Sequence, residues 1–391
     1  MTNKSSKFNK LLSNLNSLTV EFKKLGEVCE IADNQRKPVK SSSRVQGEIP
    51  YYGANNIQDY VKGFTHDGNY VLIAEDGSTS LRTYSIQYTS GKFWANNHVH
   101  VIKGQEELST RFLYYYLKSI NFIPYLSGGT RAKLTKGKML NIKVPIPPLP
   151  IQQEIVKILN SFTELETELE TELEKRQKQY EYYRKKLLNI SQGIKRQPLG
   201  TVLNLKNGYT PPKAKSEFWT NGTIPWFRME DIRLHGRILT DSSQHITKEA
   251  IKNSGLFPPN SIIISTTATI GEHALIKVES LSNQQFTCLT IKENYKEKLL
   301  PEFLFYYCFI LSEWCKNNVN GASFQIVNMH EFKKFPIPLP PLSEQQRIVN
   351  ILDKFESLVN DISIGLPAEI KARHKQYEYY RDKLLTFKEL T

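Results

Sequence analysis

From Ile151 onward, apolar side chains recur at Ile151, Ile155, Ile158, Phe162, Leu165, Leu169 and Leu173, and resume at Tyr180, Tyr183 and Leu187. Steps of three and four put these positions on one stripe. The pattern predicts an amphipathic helix of about forty residues, roughly 60 Å long at 1.5 Å per residue. A second stripe runs through Ile348, Ile351, Leu352, Phe355, Leu358 and Ile362, then Ile370, Tyr377, Tyr380 and Leu384. Gly365 and Pro367 divide it, the glycine ending one helix and the proline opening the next. Ser343 to Gln346 reads as a capping box with Ser343 as N-cap, while the first stripe is expected to start at Pro150 or Ile151. Either stripe alone would stay exposed. The two are therefore expected to pack together as an antiparallel coiled coil within one chain, a parallel homodimer being the alternative.

The remaining sequence changes period. Short apolar runs such as VLIA (Val71–Ala74) and SIIIS (Ser261–Ser265) alternate with Gly, Asn and Pro turns, the pattern of short strands in mixed α/β segments. The whole arrangement occurs twice. QYEYYRKKLL (Gln179–Leu188) matches QYEYYRDKLL (Gln376–Leu385) at nine of ten positions. GEIPYY from Gly47 answers GTIPWF from Gly222, NYVLIAEDGSTS from Asn69 answers NSIIISTTATIG from Asn260, and FLYYY from Phe112 answers FLFYY from Phe303. GGTRAKLTKGKMLNIKVPIPPLP from Gly128 answers NGASFQIVNMHEFKKFPIPLPPL from Asn320, and QQEIVKILNSF from Gln152 answers QQRIVNILDKF from Gln345. The mixed segments share a skeleton and differ in detail; the helical segments are much closer in sequence. Prolines at each junction stop the preceding element. The expected fold class is α+β and pseudo-twofold: an N-terminal arm (1–22), a mixed segment (23–146), a central helical spacer (147–195), a second mixed segment (196–337) and a C-terminal helical region (338–391).

Charge then narrows the partner. At 391 residues, with 39% hydrophobic content, the chain can bury several cores. A net charge of +13 points to a polyanion, most simply nucleic acid. The four cysteines, Cys29, Cys288, Cys308 and Cys315, form no C-x-x-C pair, which fits reduced thiols in the cytoplasm. No run of eighteen apolar residues is present, so no membrane span is expected. The sequence shows no phosphate-binding glycine loop, no N-P-P-[FY] or D-P-P-[FY] of an adenine methyltransferase and no G-x-S-x-G elbow. Glu-Phe-Lys at Glu21 and Glu331 lacks the upstream Pro-Asp partner of a nuclease, and His98 with His100 lacks further metal ligands. The chain reads as a reader without catalytic or metal residues.

Paired variable segments followed by near-identical helices, with P-x-P before QQ-x-I-V-x-I-L (Gln152–Leu159, Gln345–Leu352), the twin QYEYYR and three TELE units from Thr163 to Glu174, resemble the specificity subunit of type I restriction–modification enzymes. The TELE array resembles the subgroup with tandem tetrapeptides in the spacer. The resemblance implies two target recognition domains, each reading one half of a bipartite, asymmetric double-stranded DNA site. It implies that the helices hold the readers apart and dock two modification subunits carrying S-adenosylmethionine, with ATP and Mg on motor–nuclease subunits. No cofactor and no catalysis are expected in this chain. A homodimeric DNA-binding regulator, a structural scaffold and a nuclease are the rival readings.

Loops at equivalent places in the two halves are the expected DNA contacts. Ser78, Thr79, Arg82 and Tyr84 answer Thr267 and Thr269; Asn96, Asn97 and His98 answer Asn283, Gln284 and Gln285; Thr130, Arg131, Lys133 and Lys136 answer Ser323 and Gln325. Amides pair bidentately with adenine and arginine with guanine, while lysine meets phosphates. Tyr180, Tyr182, Tyr183 and Arg184, with Tyr377, Tyr379, Tyr380 and Arg381, are the expected partner-docking residues, some of the tyrosines packing into the coiled coil.

Overall fold

The computed structural model describes residues 15, 18–128, 132–190, 193–252, 255–321, 325–360 and 364–390. Five longer helices carry the architecture: α1 (Thr110–Ser119), α2 (Leu149–Leu188), α3 (Pro301–Asn317), α4 (Leu342–Asn360) and α5 (Leu366–Leu385). The chain forms two compact units, one of Met1–Glu168 with Lys371–Thr391, the other of Leu169–Ile370. Helix α2 gives its first half to unit 1 and its second half to unit 2.

Unit 1 holds two four-stranded sheets. In one, Val99–Gly104 lies between Cys29–Ile31 and Tyr70–Ala74, and Ile86–Thr89 forms the far edge, all antiparallel. The other pairs Gln46–Tyr52 with Ile57–Val61 and, in parallel, with Lys92–Ala95, which His66–Asp67 flanks. Tyr70–Ala74 is buried throughout, because α1 covers its sheet on one side and the second sheet's aromatics cover the other. Unit 2 has the same plan. Ser261–Ser265 sits between Phe286–Ile291 and His273–Ile276 in a five-stranded sheet, and Ile224–Phe227 lies between His245–Ile246 and Leu281–Ser282 in a smaller one. Helix α3 packs on the larger sheet of unit 2.

The mixed α/β class and the forty-residue helix are those the sequence predicts. In unit 1 the first half of α2 runs antiparallel to the end of α5. Phe162 meets Tyr377 and Tyr380 at ring distances of 6.4 and 5.7 Å, and Glu166 meets His374 at 3.2 Å. In unit 2 Tyr180 and Tyr183 stack on Phe355 of α4 at 6.0 and 5.5 Å. The N-terminal arm meets the C-terminal segment: Thr19–Val20 pairs in parallel with Lys388–Glu389, and Leu15 is buried with Leu384 and Leu385.

Three local expectations are corrected. Ser343 is not the cap of α4. That helix begins at Leu342, and the Pro341 carbonyl accepts from the amides of Glu344 and Gln345 at 3.0 and 3.1 Å. Helix α2 likewise begins at Leu149, before Pro150 and Ile151, with the Pro148 carbonyl accepting from Ile151 and Gln152. Prolines with fixed φ deliver these carbonyls, so no side-chain cap is needed. Leu358 is exposed and Val359 takes its place in the core, because the stripe drifts by one position near the end of α4. Ile362 lies outside the described residues.

Candidate nucleic-acid interface

Strand register defines which loop residues correspond. Ala74 pairs with Val99 and Ser265 with Phe286; Tyr52 pairs with Ala95 and Phe227 with Ser282. Asn96 therefore corresponds to Asn283, His98 to Gln285, and Gly77 to Ala268. The backbone repeats the match. The amides of Asn96 and Asn283 donate to Tyr52 and Phe227, and those of Glu75 and Thr266 donate to His98 and Gln285. Gly77 and Ala268 both adopt positive φ, +71° and +58°, so the same turn is made with a glycine in one unit and a strained alanine in the other.

The third loop aligns one residue away from the sequence expectation. Bridges join Asp76 to Lys133 and Thr267 to Ile326, so Ile326, not Gln325, stands opposite Lys133. Thr135 and Asn328 then cap equivalent short helices. The junction prolines obey the same shift, Pro145 corresponding to Pro338 through equivalent strand pairs with Phe22 and Arg196.

The candidate DNA contacts divide by exposure. Thr79, Arg82, Asn97, His98, Lys133 and Lys136 are exposed in unit 1, as are Gln284 and Gln325 in unit 2. Tyr84 is buried, donates to the Ala74 carbonyl at 2.9 Å and stacks on Phe122, so it supports the loop and does not face a ligand. Asn96 is buried too, its Oδ1 accepting from the His98 amide at 2.8 Å; Asn283 makes the same turn with the Gln285 amide. Both asparagines spend their Oδ1 on a backbone amide, the pattern of a turn-forming asparagine, and Asn283 Nδ2 donates to Gln285 Oε1 at 3.3 Å. Ser78 Oγ donates to the Ser80 carbonyl and accepts from the Ser85 amide. Thr267 and Thr269 are half-buried. Thr130, Arg131 and Ser323 lie outside the described residues.

Beneath these loops unit 1 carries a charged cluster that sequence reasoning missed. Arg36 Nη1 donates to Glu75 at 2.8 Å and to the Val99 carbonyl at 2.7 Å, and its guanidinium lies 3.4 Å from Asp33. Lys133 reaches Glu75 at 2.9 Å, and the buried His100 bridges Asp33 and the Leu134 carbonyl at 2.7 and 2.9 Å. Burial alone would raise the Asp33 carboxyl, but hydrogen bonds from His100 and the Val101 amide, with the charges of His100 and Arg36, hold it below its usual range. Glu75 is likewise held low: hydrogen bonds from Arg36 and Lys133 outweigh its burial. Asn55 adds a clamp, donating to the Gly77 carbonyl and accepting from the Thr79 amide. At the corresponding places unit 2 has Asn207, Thr266 and Thr287, joined by neutral hydrogen bonds of 3.0 and 3.2 Å. No local pattern in the sequence marks Arg36 or Asn55, because apart from Asp33 beside Arg36 their partners named here lie 22 to 63 residues away.

Each unit ties its recognition module to the helices through one buried glutamine. Gln152 Oε1 accepts from the Ser109 amide, while its Nε2 donates to the Glu107 and Pro147 carbonyls at 2.7 Å. Gln345 does the same with the Leu300 amide and the Lys298 and Pro340 carbonyls. Tyr115 donates to Asn160 in unit 1, and Tyr306 donates to Asp353 in unit 2. The tyrosine decamer of one repeat then packs on the other repeat's helix. Tyr180 and Tyr377 are buried there and Tyr183 and Tyr380 stack on phenylalanines, so these four serve the coiled coil; Tyr182 and Tyr379, 58% and 54% exposed, face outward. Arg184 lies over Tyr180 and Phe309, whereas Arg381 pairs with Asp382.

Among the described residues no group of three or more His, Cys, Asp or Glu is placed to hold a metal ion, and no helix is long and apolar enough to cross a membrane. Two modules of one design but different side chains, each fixed to paired helices by an equivalent glutamine, are the plan of a protein that presents two different loop surfaces from one chain. Residues 18–176 and 193–372 match the type I restriction modification DNA specificity domain. A protein of Haemophilus influenzae named as a type I restriction enzyme specificity subunit is 47% identical over 380 residues, covering 94% of this chain and 96% of that one. The EcoR124I/EcoR124II specificity subunit of Escherichia coli is 33% identical over 397 residues, covering 95% and 96%. The crystal structure of the type I S subunit from M. genitalium superposes with a TM-score of 0.60 at 15% identity, covering 96% and 98%, and so shares the fold. The chain belongs to the type I restriction–modification DNA specificity family, as a specificity subunit.

Proposed function

We propose that each recognition module reads one half of a bipartite, asymmetric DNA site, and that the helices set the gap and dock two modification subunits. The observation that carries this reading is the pair of equivalent loop frameworks bearing unlike exposed residues: Asn97, His98 and Arg82 in unit 1, Gln284 and Gln325 in unit 2. One chain thus presents two related but different reading heads, which asymmetry of the site requires. The recognition domains are assigned to 23–146 and 196–337, the arm to 1–22, and the helical regions to 147–195 and 338–391. The TELE array from Thr163 to Glu174 supports membership in the subgroup with tandem tetrapeptides in the spacer. S-adenosylmethionine belongs on the modification subunits, ATP and Mg on motor–nuclease subunits, and the assembly in the cytoplasm.

Phosphate contacts release counterions, so affinity for duplex DNA should fall steeply with salt, by about 10³-fold between about 50 and 200 mM. Filter binding across that range is the test, and a flat dependence of log affinity on log salt would contradict the reading.

A further inference from the structure

The two decamers differ at one position, Lys185 in the first and Asp382 in the second. That difference decides the state of the arginine before it. Arg381 is neutralised by Asp382, with Nη2 and Nε at 2.7 and 2.9 Å from Oδ1. Arg184 is followed by a second cation and makes no ion pair with a carboxylate among the described residues. Its guanidinium lies 3.9 Å from the Phe309 ring centre and 4.9 Å from that of Tyr180.

Arg184 and Lys185 open onto a cavity of about 530 Å³ within unit 2. Two of its ion pairs are closed already, Arg237 with Glu272 at 2.8 Å and Lys316 with Glu313 at 2.9 Å. Among the described residues Glu181 is the one remaining carboxylate on its wall, against Arg184 and Lys185, for which those residues supply no ion pair. The floor is polar and under-satisfied. His273 is buried, its Nδ1 lies 3.0 Å from the Gly271 carbonyl, and its Nε2 has no aligned partner. The Tyr180 hydroxyl lies near Glu356 and Arg184 without an aligned hydrogen bond to either. A guanidinium packed against aromatic faces and lacking an anion gains most from a charged acceptor, and buried polar groups without partners favour a polar occupant.

We propose that this cavity receives a carboxylate side chain of the modification subunit docked on unit 2, gripped by Arg184 and Lys185, so that the two docking joints of the chain are unequal. This rests on the docking role proposed above. A protein carboxylate suits the cavity better than a DNA strand. Glu181, Glu272 and Glu313 line the cavity, the last two already paired with Arg237 and Lys316, which leaves room for one acidic side chain on Arg184 and Lys185 and not for a continuous run of phosphates. Arg184 also belongs to the repeated tyrosine joint and not to the recognition loops.

Native mass spectrometry of the full chain with its cognate modification subunit reads two stepwise affinities. The expected wild-type result is one tight, salt-sensitive step and one weaker step. Lys185→Asp, which copies the second decamer, and Arg184→Gln should each lower only the tight step, by about tenfold, the effect of one lost charge-assisted contact. Asp382→Lys should leave the tight step unchanged. Because Lys185 is exposed on its helix, the Lys185→Asp chain should keep its melting temperature, which separates lost docking from lost folding. Two affinities unchanged by both variants overturn the cavity assignment and leave the docking role standing. Unchanged docking with weakened DNA binding overturns it in favour of a phosphate contact. A wild-type chain that binds no modification subunit overturns the docking role and the cavity together.

Discussion

Gln152 and Gln345 act as single-residue ties between recognition module and helix, each satisfying one amide and two carbonyls in a buried place. Replacing Gln152 by leucine leaves those three groups without partners. A stranded buried polar group costs about 1 to 3 kcal/mol, so a loss of roughly 3 kcal/mol is expected in unit 1. Hydrogen exchange should show it as lost protection across α1 and the start of α2, with unit 2 unaffected; Gln345→Leu should do the reverse. Protection equal to wild type would contradict the role. Asp33 provides a pH test. Its folded carboxyl is held below the ordinary value of about 3.9, so its contribution to stability is complete above about pH 4 and is lost as pH falls through the folded value. Unit 1 should loosen on acidification in that window, and Asp33→Asn, which resembles Asn207 of unit 2, should flatten the loss; an Asp33→Asn profile parallel to wild type would contradict it. At this scale the sequence was partly legible. The loops carrying Asn96 and Asn283 were visible as matched turns, yet the roles inside them were not, because a turn asparagine and a base-reading asparagine look the same until the Asn96 Oδ1 is seen to accept from the His98 amide. Tyr84 misled for a similar reason: its hydroxyl fits a contact with DNA as well as it fits the Ala74 carbonyl.

At the scale of elements, the helices were the most legible part of the chain. Their 3.6-residue periodicity is local, so the stripe of α2 could be followed to within two residues of its observed start. The cap of α4 was misread because proline carbonyls, not a serine side chain, close its first turn. The reciprocal packing of the decamers explains their near identity: Tyr377 and Tyr380 use Phe162, and Tyr180 and Tyr183 use Phe355, so each copy must fit the same shape on the other repeat. The TELE leucines Leu165, Leu169 and Leu173 are half-buried on the packing stripe, and of the array's glutamates Glu166 is drawn into contact with His374. Each tetrapeptide adds about 6 Å of helix and about 40° of excess rotation, close to the roughly 35° turned by one base pair. Deleting one TELE should shorten the unread gap by about one base pair and leave both half-sites as they are. Sequencing methylated adenines in cells carrying two, three or four copies checks this; a constant gap would refute the ruler.

For the whole molecule, the internal repeat was the decisive sequence signal, and it fixed the plan of both units before any contact was known. What it could not supply was the charged cluster of Asp33, Arg36, Glu75, His100 and Lys133 beneath one set of loops, against neutral Asn207, Thr266 and Thr287 beneath the other. Those residues come together only through long-range strand pairing, so no window of sequence contains them. The net charge of +13 belongs to this scale too, supplying attraction to DNA that no single loop accounts for. The central claim is that one chain holds two different reading heads. The methylome of cells carrying this chain with its modification subunit tests it most directly, with Asn97→Ala and Gln284→Ala chains measured beside the wild type. The account predicts one bipartite motif with unlike halves, a methylated adenine in each, one half relaxed by Asn97→Ala and the other by Gln284→Ala. A palindromic motif, or a single change that alters both halves together, would contradict it.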